Sequence, residues 1–334
     1  MTPNSRTRLK SSTRILFLSA FHTPFIQDDI DTLSAGYSVK PLIGHGILQA
    51  IRIAMSVPQS DVVFCWFASV YAFVGVLCAR ISGKKSVIVV GGVDVAKEPE
   101  LGYGIWLSPW KAPLVRYALR NADRVLVVDE SLRNDATTLA AYDGRNIRFL
   151  PTGYDSDFWK PKGRKESFVL TVAVVHDERR VRLKGIDLLM QAARQLRSTQ
   201  FLVVGVGKKA ARNLDAPPNV TILDPLRRSY LLPLYRRAKV YCQPSRREGL
   251  PNTLCEAMLC GCIPVATDVG GNSHAVGNTG ILTSTDASSL AAAIQKALRM
   301  PKTRGSRARA RAAKLFAKKL RESGLHRLIT ELSA

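Results

Sequence analysis

The chain has 334 residues, of which 46% are hydrophobic and 22% are charged. This length and composition suit two ordinary domains, each with a buried core, and they exclude wholesale disorder. The formal net charge of +23 favours anionic partners, namely nucleic acid, acidic membrane surfaces or phosphate-bearing substrates. Because neither zinc-finger spacing nor an RNA-binding aromatic signature accompanies the charge, nucleic acid is the least favoured partner.

The N-terminus, MTPNSRTRLKSSTR, is basic, but the apolar run after it is short and three aspartates soon follow. We therefore predict no signal peptide and a cytoplasmic location. The uncharged run 62–79 reaches the length of a membrane helix. Its β-branched and aromatic start favours a buried strand at 62–67 followed by a buried helix at 71–80, with a membrane span as the alternative.

Six cysteines are present, and the last three fall within LCEAMLCGCIPVAT. No second CxxC and no nearby histidine accompanies them, so we predict buried free thiols in a reducing compartment, with a metal site as the alternative. The six are Cys65, Cys78, Cys242, Cys255, Cys260 and Cys262.

Apolar strands alternate with helical segments along both halves, which predicts an α/β fold with parallel sheets. The strands predicted in the first half are 15–18, 62–67, 86–90, 124–128 and 147–150. Those predicted in the second half are 168–175, 201–204, 220–223, 240–243 and 263–266, with a helix over 185–196. A turn-rich, charged stretch at 152–166 separates the halves. We predict a domain over 1–160, a second over 161–304 and a basic helix over 305–334.

The last thirty residues carry regularly spaced cations. On one helix, spacings of three and four residues would align them as a single basic stripe. The stripe comprises Arg307, Arg311, Lys314, Lys318 and Arg321. A solvated face is the simplest interpretation. The alternative, supported by further basic residues in the first domain, is peripheral contact with an anionic membrane.

Two carboxylates, Glu248 and Glu256, bracket a loop that turns into a helix. A structural interpretation makes Thr253-x-x-Glu256 a capping box and Glu248 an exposed carboxylate paired with arginine. A functional interpretation uses the amides at the helix start to bind phosphate, and the carboxylates to accept hydrogen bonds from sugar hydroxyls. The two DxD pairs, at 29–31 and 155–157, are weak evidence for a metal because such matches arise by chance.

The segment PSRREGLPNTLCEAMLCGCIPVATDVGG (244–271) resembles the donor-site motif of retaining glycosyltransferases with the GT-B fold, the group called family 4. The segments LKGIDLLMQAARQL, FLVVGVGK and PTGYD are similar to further motifs of that family. The resemblance implies two Rossmann-like domains with a donor cleft between them, and a final helix that returns to the first domain. It also implies transfer of a sugar from a nucleotide-sugar donor, with retention of anomeric configuration.

The resemblance also implies roles for particular residues. Glu248 would contact the transferred sugar, Glu256 would bind the ribose, and Lys184 would neutralise the diphosphate together with Arg179 or Arg182. Asp94 stands where the family has a catalytic His-Asp pair. The implied donor loop comprises Gly249, Leu250, Pro251, Asn252 and Thr253. No metal and no other cofactor is expected. The excess basic charge, rather than the resemblance, leads us to expect a glycan or a lipid-linked acceptor at the cytoplasmic membrane face.

Three places depart from the family pattern. SAFHTPF replaces the paired glycines after the first strand, VVGGVDVA lacks the histidine before Asp94, and HDERRVRLKG leaves the partner arginine undefined. Two alternatives therefore stay open. One is a catalytically inactive GT-B binding protein, and the other is a GT-B epimerase or sugar-phosphate enzyme.

Overall fold

The computed structural model describes residues 13–334. The prediction that the chain has no signal peptide was based mainly on residues before 13, which lie outside the described residues. The chain divides into two compact units. The described part of unit 1 comprises residues 13–98, Tyr103–Pro151 and Lys319–Ala334, and unit 2 comprises Pro99–Gly102 and Thr152–Lys318.

Unit 1 is built on one six-stranded parallel sheet. Its strands are β1 (Arg14–Ser19), β2 (Ser38–Ile43), β3 (Val62–Trp66), β4 (Lys85–Val90), β5 (Arg124–Val127) and β6 (Ile147–Phe149), in the order β2-β1-β3-β4-β5-β6. Five helices connect them: α1 (Pro24–Ser34), α2 (Ile47–Ser56), α3 (Val70–Ile81), α4 (Lys111–Asn121) and α5 (Ser131–Ala140). The apolar runs of β3 and β4 are buried, as expected of central parallel strands covered on both faces.

The uncharged run 62–79 forms a strand and then a helix, as predicted. β3 ends at Trp66, and α3 begins after Ser69, whose side chain accepts a hydrogen bond from the amide of Ala72 at 3.3 Å. A serine in this position satisfies an amide that the first helical turn leaves unpaired. Nowhere within residues 13–334 does a helix have the length and apolar character needed to span a bilayer.

Unit 2 repeats the architecture with a second six-stranded parallel sheet. Its strands are β7 (Glu166–Val175), β8 (Gln200–Val206), β9 (Val220–Leu223), β10 (Ala238–Gln243), β11 (Ile263–Thr267) and β12 (Ile281–Thr283), in the order β12-β11-β10-β7-β8-β9. The helices of this unit are α6 (Glu178–Leu183), α7 (Ile186–Gln195), α8 (Lys208–Arg212), α9 (Arg228–Arg237), α10 (Asn252–Leu259), α11 (Gly271–Val276), α12 (Ala287–Arg299) and α13 (Thr303–Leu315). Buried side chains of α7 and α12 pack with β7, β8, β10 and β11 in one hydrophobic core.

The C-terminal segment corrects one prediction, because 305–334 is not a single basic helix. The helix α13 ends at Leu315, and a further helix, α14 (Lys318–Ser333), begins three residues later. Between them Phe316 is buried, and its carbonyl accepts a hydrogen bond from the amide of Tyr154 at 2.8 Å. The break at Phe316, with its hydrogen bond to Tyr154, interrupts the single helix on which a continuous basic stripe depends.

The side chains of the predicted stripe also separate. Arg311 donates to the carbonyls of His274 and Ala275, at 2.7 and 3.0 Å, and Arg321 is buried against Asp29. Residues 319–334 belong to unit 1, whereas 305–318 belong to unit 2. The single exposed basic stripe was therefore a wrong prediction.

The basic excess lies mainly in unit 2, which holds 29 of the 49 lysines and arginines but only 13 of the 26 acidic residues. Part of this charge is structural. Lys165, Lys239 and Arg309 each donate to a carbonyl in the last turn of a helix, at 2.7, 2.5 and 2.5 Å. Because the carboxyl end of a helix carries partial negative charge, these three cations stabilise the ends of α9, α12 and α10.

Candidate active site

The candidate site of unit 2 is built on three adjacent strands of its sheet. β7, β10 and β11 pair in parallel, so the loops that follow them meet at one edge. The loop after β7 leads through α6 to Lys184, the loop after β10 carries Glu248, and the loop after β11 contains Gly270. Chain segments far apart in sequence thus converge at the carboxyl ends of the strands.

Two glycines allow these loops to approach one another closely. Gly185 has φ 64°, and a Cβ at this position would lie 1.8 Å from the carbonyl oxygen of Pro244. Gly270 has φ 48°, and a Cβ there would lie 2.0 Å from the carbonyl oxygen of Glu248. Any other residue would force these backbones apart, so both glycines are required by the geometry of the site.

Glu248 is held by a set of hydrogen bonds on one carboxylate oxygen. Its Oε1 accepts from Lys184 Nζ at 2.6 Å, from Gln243 Nε2 at 2.8 Å and from Ser245 Oγ at 2.7 Å. The side chain is only 9% exposed. The interpretation of Glu248 as an exposed carboxylate paired with arginine is therefore wrong. Within residues 13–334 all three of these bonds end on Oε1. The other carboxylate oxygen, Oε2, can therefore accept hydrogen bonds from a ligand.

Glu256 lies on α10 and is almost fully buried. Tyr235 donates its hydroxyl to Oε2 at 3.2 Å, and Arg228 Nε lies 3.4 Å from Oε1. Burial, reinforced by the neighbouring charge of Glu256, raises the pKa of Tyr235 well above its usual value, so the phenol keeps its proton and donates. Two residues of α9 therefore position the carboxylate of Glu256, which itself lies on α10.

The capping-box interpretation of Thr253 and Glu256 is wrong because the helix starts elsewhere. α10 begins at Asn252 and follows Pro251, which makes no side-chain cap. Thr253 lies in the first turn and donates its hydroxyl to Gln243 at 3.4 Å. Asn252 Oδ1 accepts from Thr152 Oγ1 at 3.1 Å and from the hydroxyl of Tyr154 at 2.5 Å.

The predicted donor loop runs directly into this first turn. Gly249, Leu250 and Pro251 are buried, and the carbonyl of Gly249 accepts from the amide of Gly271 at 3.0 Å. The loop is therefore tied to the segment after β11. Amides at the start of a helix favour an anion, so this turn can receive a phosphate group next to Lys184 and Glu248.

The predicted arginines are placed differently from Lys184. The side chains of Arg179 and Arg182 are exposed on α6, and neither is a partner of Glu248. The carbonyl of Arg182 accepts from Arg246, which also forms a bidentate pair with Asp187 at 2.7 Å. The structure thus joins Lys184 to Glu248 and leaves both arginines on the surface of unit 2.

Sequence reasoning missed four residues that support the two glutamates. Gln243 and Ser245 bind Glu248, and Tyr235 and Arg228 bind Glu256. A signal existed for Gln243, because it is a polar residue at the end of an otherwise apolar strand that leads into the site. Arg228 and Tyr235 lie on α9, and nothing in their local sequence links them to Glu256.

Asp94 lies in unit 1, after β4. Its carboxylate accepts from the amides of Gly92, Ala68 and Gly91 at 2.8, 3.0 and 3.1 Å. These bonds tie the loops that follow the neighbouring strands β3 and β4. Burial raises the pKa of Asp94 to about 6, although the amide bonds act in the opposite direction. The geometry assigns Asp94 a loop-positioning role, and its catalytic role stays a prediction.

We expect Asp94 to make stability depend on pH. Its pKa is about 6 when folded and 3.8 in the reference state, so the folded protein binds the extra proton between these values. Stability due to Asp94 should therefore fall as pH rises from about 4 to about 6, by roughly 3 kcal/mol in total. Urea unfolding at several pH values measures the free energy of unfolding of wild type and of Asp94→Asn. The difference between these two free energies should change with pH. A difference that does not vary with pH would contradict the assignment.

Aromatic side chains take the place of the paired glycines after β1. The ring centroid of Phe21 lies 5.1 Å from that of Phe67, and Phe25 lies 4.9 Å from Trp66. Phe67 has φ 69°, which is unfavourable for a bulky residue, and a Cβ on Gly91 would lie 2.5 Å from its ring. The carboxyl edge of the unit 1 sheet therefore presents an aromatic surface that sequence reasoning did not predict.

The six cysteines are free, and all but Cys78 are buried. Over residues 13–334 the structure contains no group of three or more His, Cys, Asp or Glu side chains arranged to hold a metal ion. Asp29, which belongs to one of the two DxD pairs, is instead bound to Arg321 and Trp66.

Part of the chain is similar to a known protein family. Residues 169–300 match the sequence model of the family described as glycosyl transferases group 1. The alpha-maltose-1-phosphate synthase of Mycobacterium tuberculosis is 29% identical over 216 residues, which cover 57% of this chain and 55% of that protein. The D-inositol 3-phosphate glycosyltransferase of Gordonia bronchialis is 29% identical over 209 residues, covering 54% and 45%. The alignments thus span about half the length of these relatives.

Solved structures match over nearly the whole chain. Sucrose-phosphate synthase from Thermosynechococcus elongatus has a TM-score of 0.80 at 18% identity and covers 96% of this chain and 99% of that one. Anabaena HepE in complex with UDP and glucose has a TM-score of 0.78 at 16% identity, covering 96% and 100%. At such low identities these structures establish the fold. Residues 169–300 are therefore similar to a glycosyl transferases group 1 domain, and the chain has the GT-B fold.

Proposed function

We propose that the protein is a glycosyltransferase that moves a sugar from a nucleotide-sugar donor to an acceptor hydroxyl, with retention of anomeric configuration. The observation that carries the proposal is the Lys184–Glu248 pair beside the first turn of α10, on adjoining loops of one sheet edge. The names of the relatives support it, since they include a glycosyltransferase and a synthase of a sugar phosphate. The HepE structure in complex with UDP and glucose supports a uridine nucleotide as the first donor to test.

The arrangement suits the departure of a nucleoside diphosphate from the anomeric carbon. Negative charge grows on the leaving phosphate, where the Lys184 ammonium and the amides of residues 249–253 would stabilise it. Oε2 of Glu248 would accept hydrogen bonds from hydroxyls of the transferred sugar. The acceptor oxygen then replaces the phosphate on the same face of the sugar and releases its proton.

The nucleoside would be bound farther along α10. A carboxylate offers about four acceptor sites, so Glu256 can accept from ribose hydroxyls while Tyr235 and Arg228 hold it. Arg179 and Arg182 would add positive potential near the diphosphate. The proposed reaction uses no metal and no further cofactor, because fixed cations and helix amides supply the positive charge.

For the acceptor, we propose a glycan or a lipid-linked molecule at the cytoplasmic face of a membrane. The aromatic surface beside Phe21 and Phe67 supports an acceptor with an apolar or sugar-ring face. The net charge of +23 supports an anionic environment.

Lys184→Ala tests the proposed donor site. We expect the dissociation constant for UDP, measured by isothermal titration calorimetry, to rise about tenfold to a hundredfold because a charged contact to the diphosphate is lost. Lys296→Ala, an exposed lysine on α12, should leave the constant unchanged. Gln243 and Ser245 still bind Glu248 in the variant, and its melting temperature should be checked so that a loss of folding is recognised.

Incubation of the wild type with labelled UDP-glucose and candidate acceptors tests the reaction itself. Transfer of the label to an acceptor would support the proposal. UDP binding without turnover would favour an inactive binding protein, and an epimerised nucleotide sugar or a released sugar phosphate would favour the other alternative. An unchanged UDP constant in Lys184→Ala would remove Lys184 from the donor site.

A further inference from the structure

The helix α2 of unit 1 carries large apolar side chains on its outer side. Its inner side buries Ile53 together with Gln49 and Ser56. Its outer side presents four large apolar side chains to the surface: Ile47 (76% exposed), Leu48 (68%), Ile51 (50%) and Met55 (68%). We refer to these four residues as the α2 apolar face.

Helical geometry places the four residues on one continuous surface. With 3.6 residues per turn, positions 47, 48, 51 and 55 fall within an arc of roughly 100°, and Ile53 points nearly the opposite way. Contiguous exposed apolar surface on a protein marks a site of interaction.

The α2 apolar face begins at the edge of the sheet where open α/β folds bind ligands. β2 ends at Ile43, which pairs with Ser19 at the end of β1. The amide of Gly46, just before α2, donates a hydrogen bond to the hydroxyl of Tyr71 at 2.6 Å, and this bond fixes the start of the helix. Ile43 (36% exposed) and Phe21 (46%) add apolar surface at the same carboxyl edge.

The charges around this face identify the kind of partner. From Thr32 to Ser60 the chain contains no aspartate or glutamate, whereas Lys40 and Arg52 are basic. Arg52 is exposed and lies on the flank of the α2 apolar face, about 40° from Leu48 on the helix. Docking of a second copy on this face would bring like charges together. An anionic bilayer offers both the apolar phase and the opposite charge.

We propose that the α2 apolar face inserts into the interfacial layer of an anionic lipid bilayer and holds unit 1 there. Ten residues give a helix about 15 Å long, too short to cross a bilayer but suited to lie in its surface. The carboxyl edge of the unit 1 sheet, with its aromatic surface, would then face the lipid. The attachment requires no catalysis and goes beyond the proposed glycosyltransferase reaction.

This mode of attachment differs from one based on charge alone. At about 1 M salt the Debye length falls to about 3 Å, and purely electrostatic attraction between exposed charges disappears. Insertion of apolar side chains is not screened, so a measurable fraction of binding should survive. Salt resistance therefore separates the α2 apolar face from the general basic charge of the protein.

Cosedimentation of the full chain with vesicles tests the proposal. Phosphatidylcholine vesicles with a minority of phosphatidylglycerol should bind the wild type more tightly than phosphatidylcholine alone, and part of the binding should persist in about 1 M salt. The double variant Ile51→Ser/Met55→Ser should lower the partition coefficient at least about tenfold, because two apolar side chains no longer enter the lipid. Arg52→Ala should reduce the preference for phosphatidylglycerol.

The matched control is Tyr230→Ser/Leu320→Ser, which removes two similarly exposed apolar side chains from α9 and α14. This variant should bind vesicles like the wild type, and circular dichroism should show that both double variants stay folded. Equal vesicle binding by the α2 variant and the wild type would overturn the proposal. So would binding that vanishes in high salt, or a monomer–dimer equilibrium abolished by the α2 substitutions without any vesicle binding.

Discussion

Glu248→Ala is expected to lower kcat about a thousandfold and to change the dissociation constant for the nucleotide by less than about threefold. In the proposed reaction the lost interaction would matter mainly where charge develops on the sugar, whereas Lys184 and the α10 amides would still bind the diphosphate. Single-turnover transfer from labelled donor, together with titration calorimetry for UDP, measures the two effects separately.

A matched control for this change is Glu166→Ala, which removes an exposed glutamate paired with Arg237 at 2.7 Å. Surface pairs of this kind contribute little, so activity should be retained. Removal of Glu248 also leaves Lys184, Gln243 and Ser245 without their shared acceptor, and the melting temperature of the variant must be compared with wild type. Equal, small losses of activity in the two variants would assign Glu248 a structural role only.

The architecture was predictable from sequence because central parallel strands are continuous apolar runs. The two strands that were not predicted, β2 and β12, lie at the edges of their sheets. β2 contains Lys40 and Pro41 and is largely exposed, so it carries no buried-strand signature. β12 is only three residues long. Edge strands are half-solvated, and their composition therefore resembles that of loops.

The site was predictable in part. Glu248 and Glu256 stood out through their spacing within one segment, and Lys184 was identified through the family resemblance. Their supporting side chains come from other elements, and only the fold brings Gln243 and Tyr235 to them. The capping box failed because helix α10 starts two residues earlier than that pattern requires, which places Thr253 inside the first turn.

The C-terminal stripe failed for a related reason. A helical projection of 305–334 assumes that the helix is continuous, and Phe316 interrupts it. It also treats every arginine as solvated. Arg321 is only 3% exposed, and its charge is used inside unit 1.

Arg321→Ala is expected to lower the free energy of unfolding by about 3–5 kcal/mol, measured by urea denaturation. Arg321 binds Asp29 through two hydrogen bonds, at 2.6 and 3.0 Å, and donates to the carbonyl of Leu150 at 2.7 Å. Trp66 donates its indole N–H to the same aspartate at 2.8 Å. Removal of the arginine leaves a buried carboxylate with one neutral donor and detaches α14 from the end of β6, which is why the loss should be large.

The exposed Arg327 lies on the same helix, so Arg327→Ala is the matched control and should change stability by less than about 0.5 kcal/mol. Replacement of both partners, Asp29→Asn with Arg321→Met, should recover part of the loss because no unpaired charge stays buried. The loss of unfolding free energy in Arg321→Ala should also be nearly independent of salt, since a buried ion pair is screened far less than a surface pair. A loss below about 1 kcal/mol, or one that disappears in high salt, would mean that Arg321 acts as a solvated surface charge, as the stripe required.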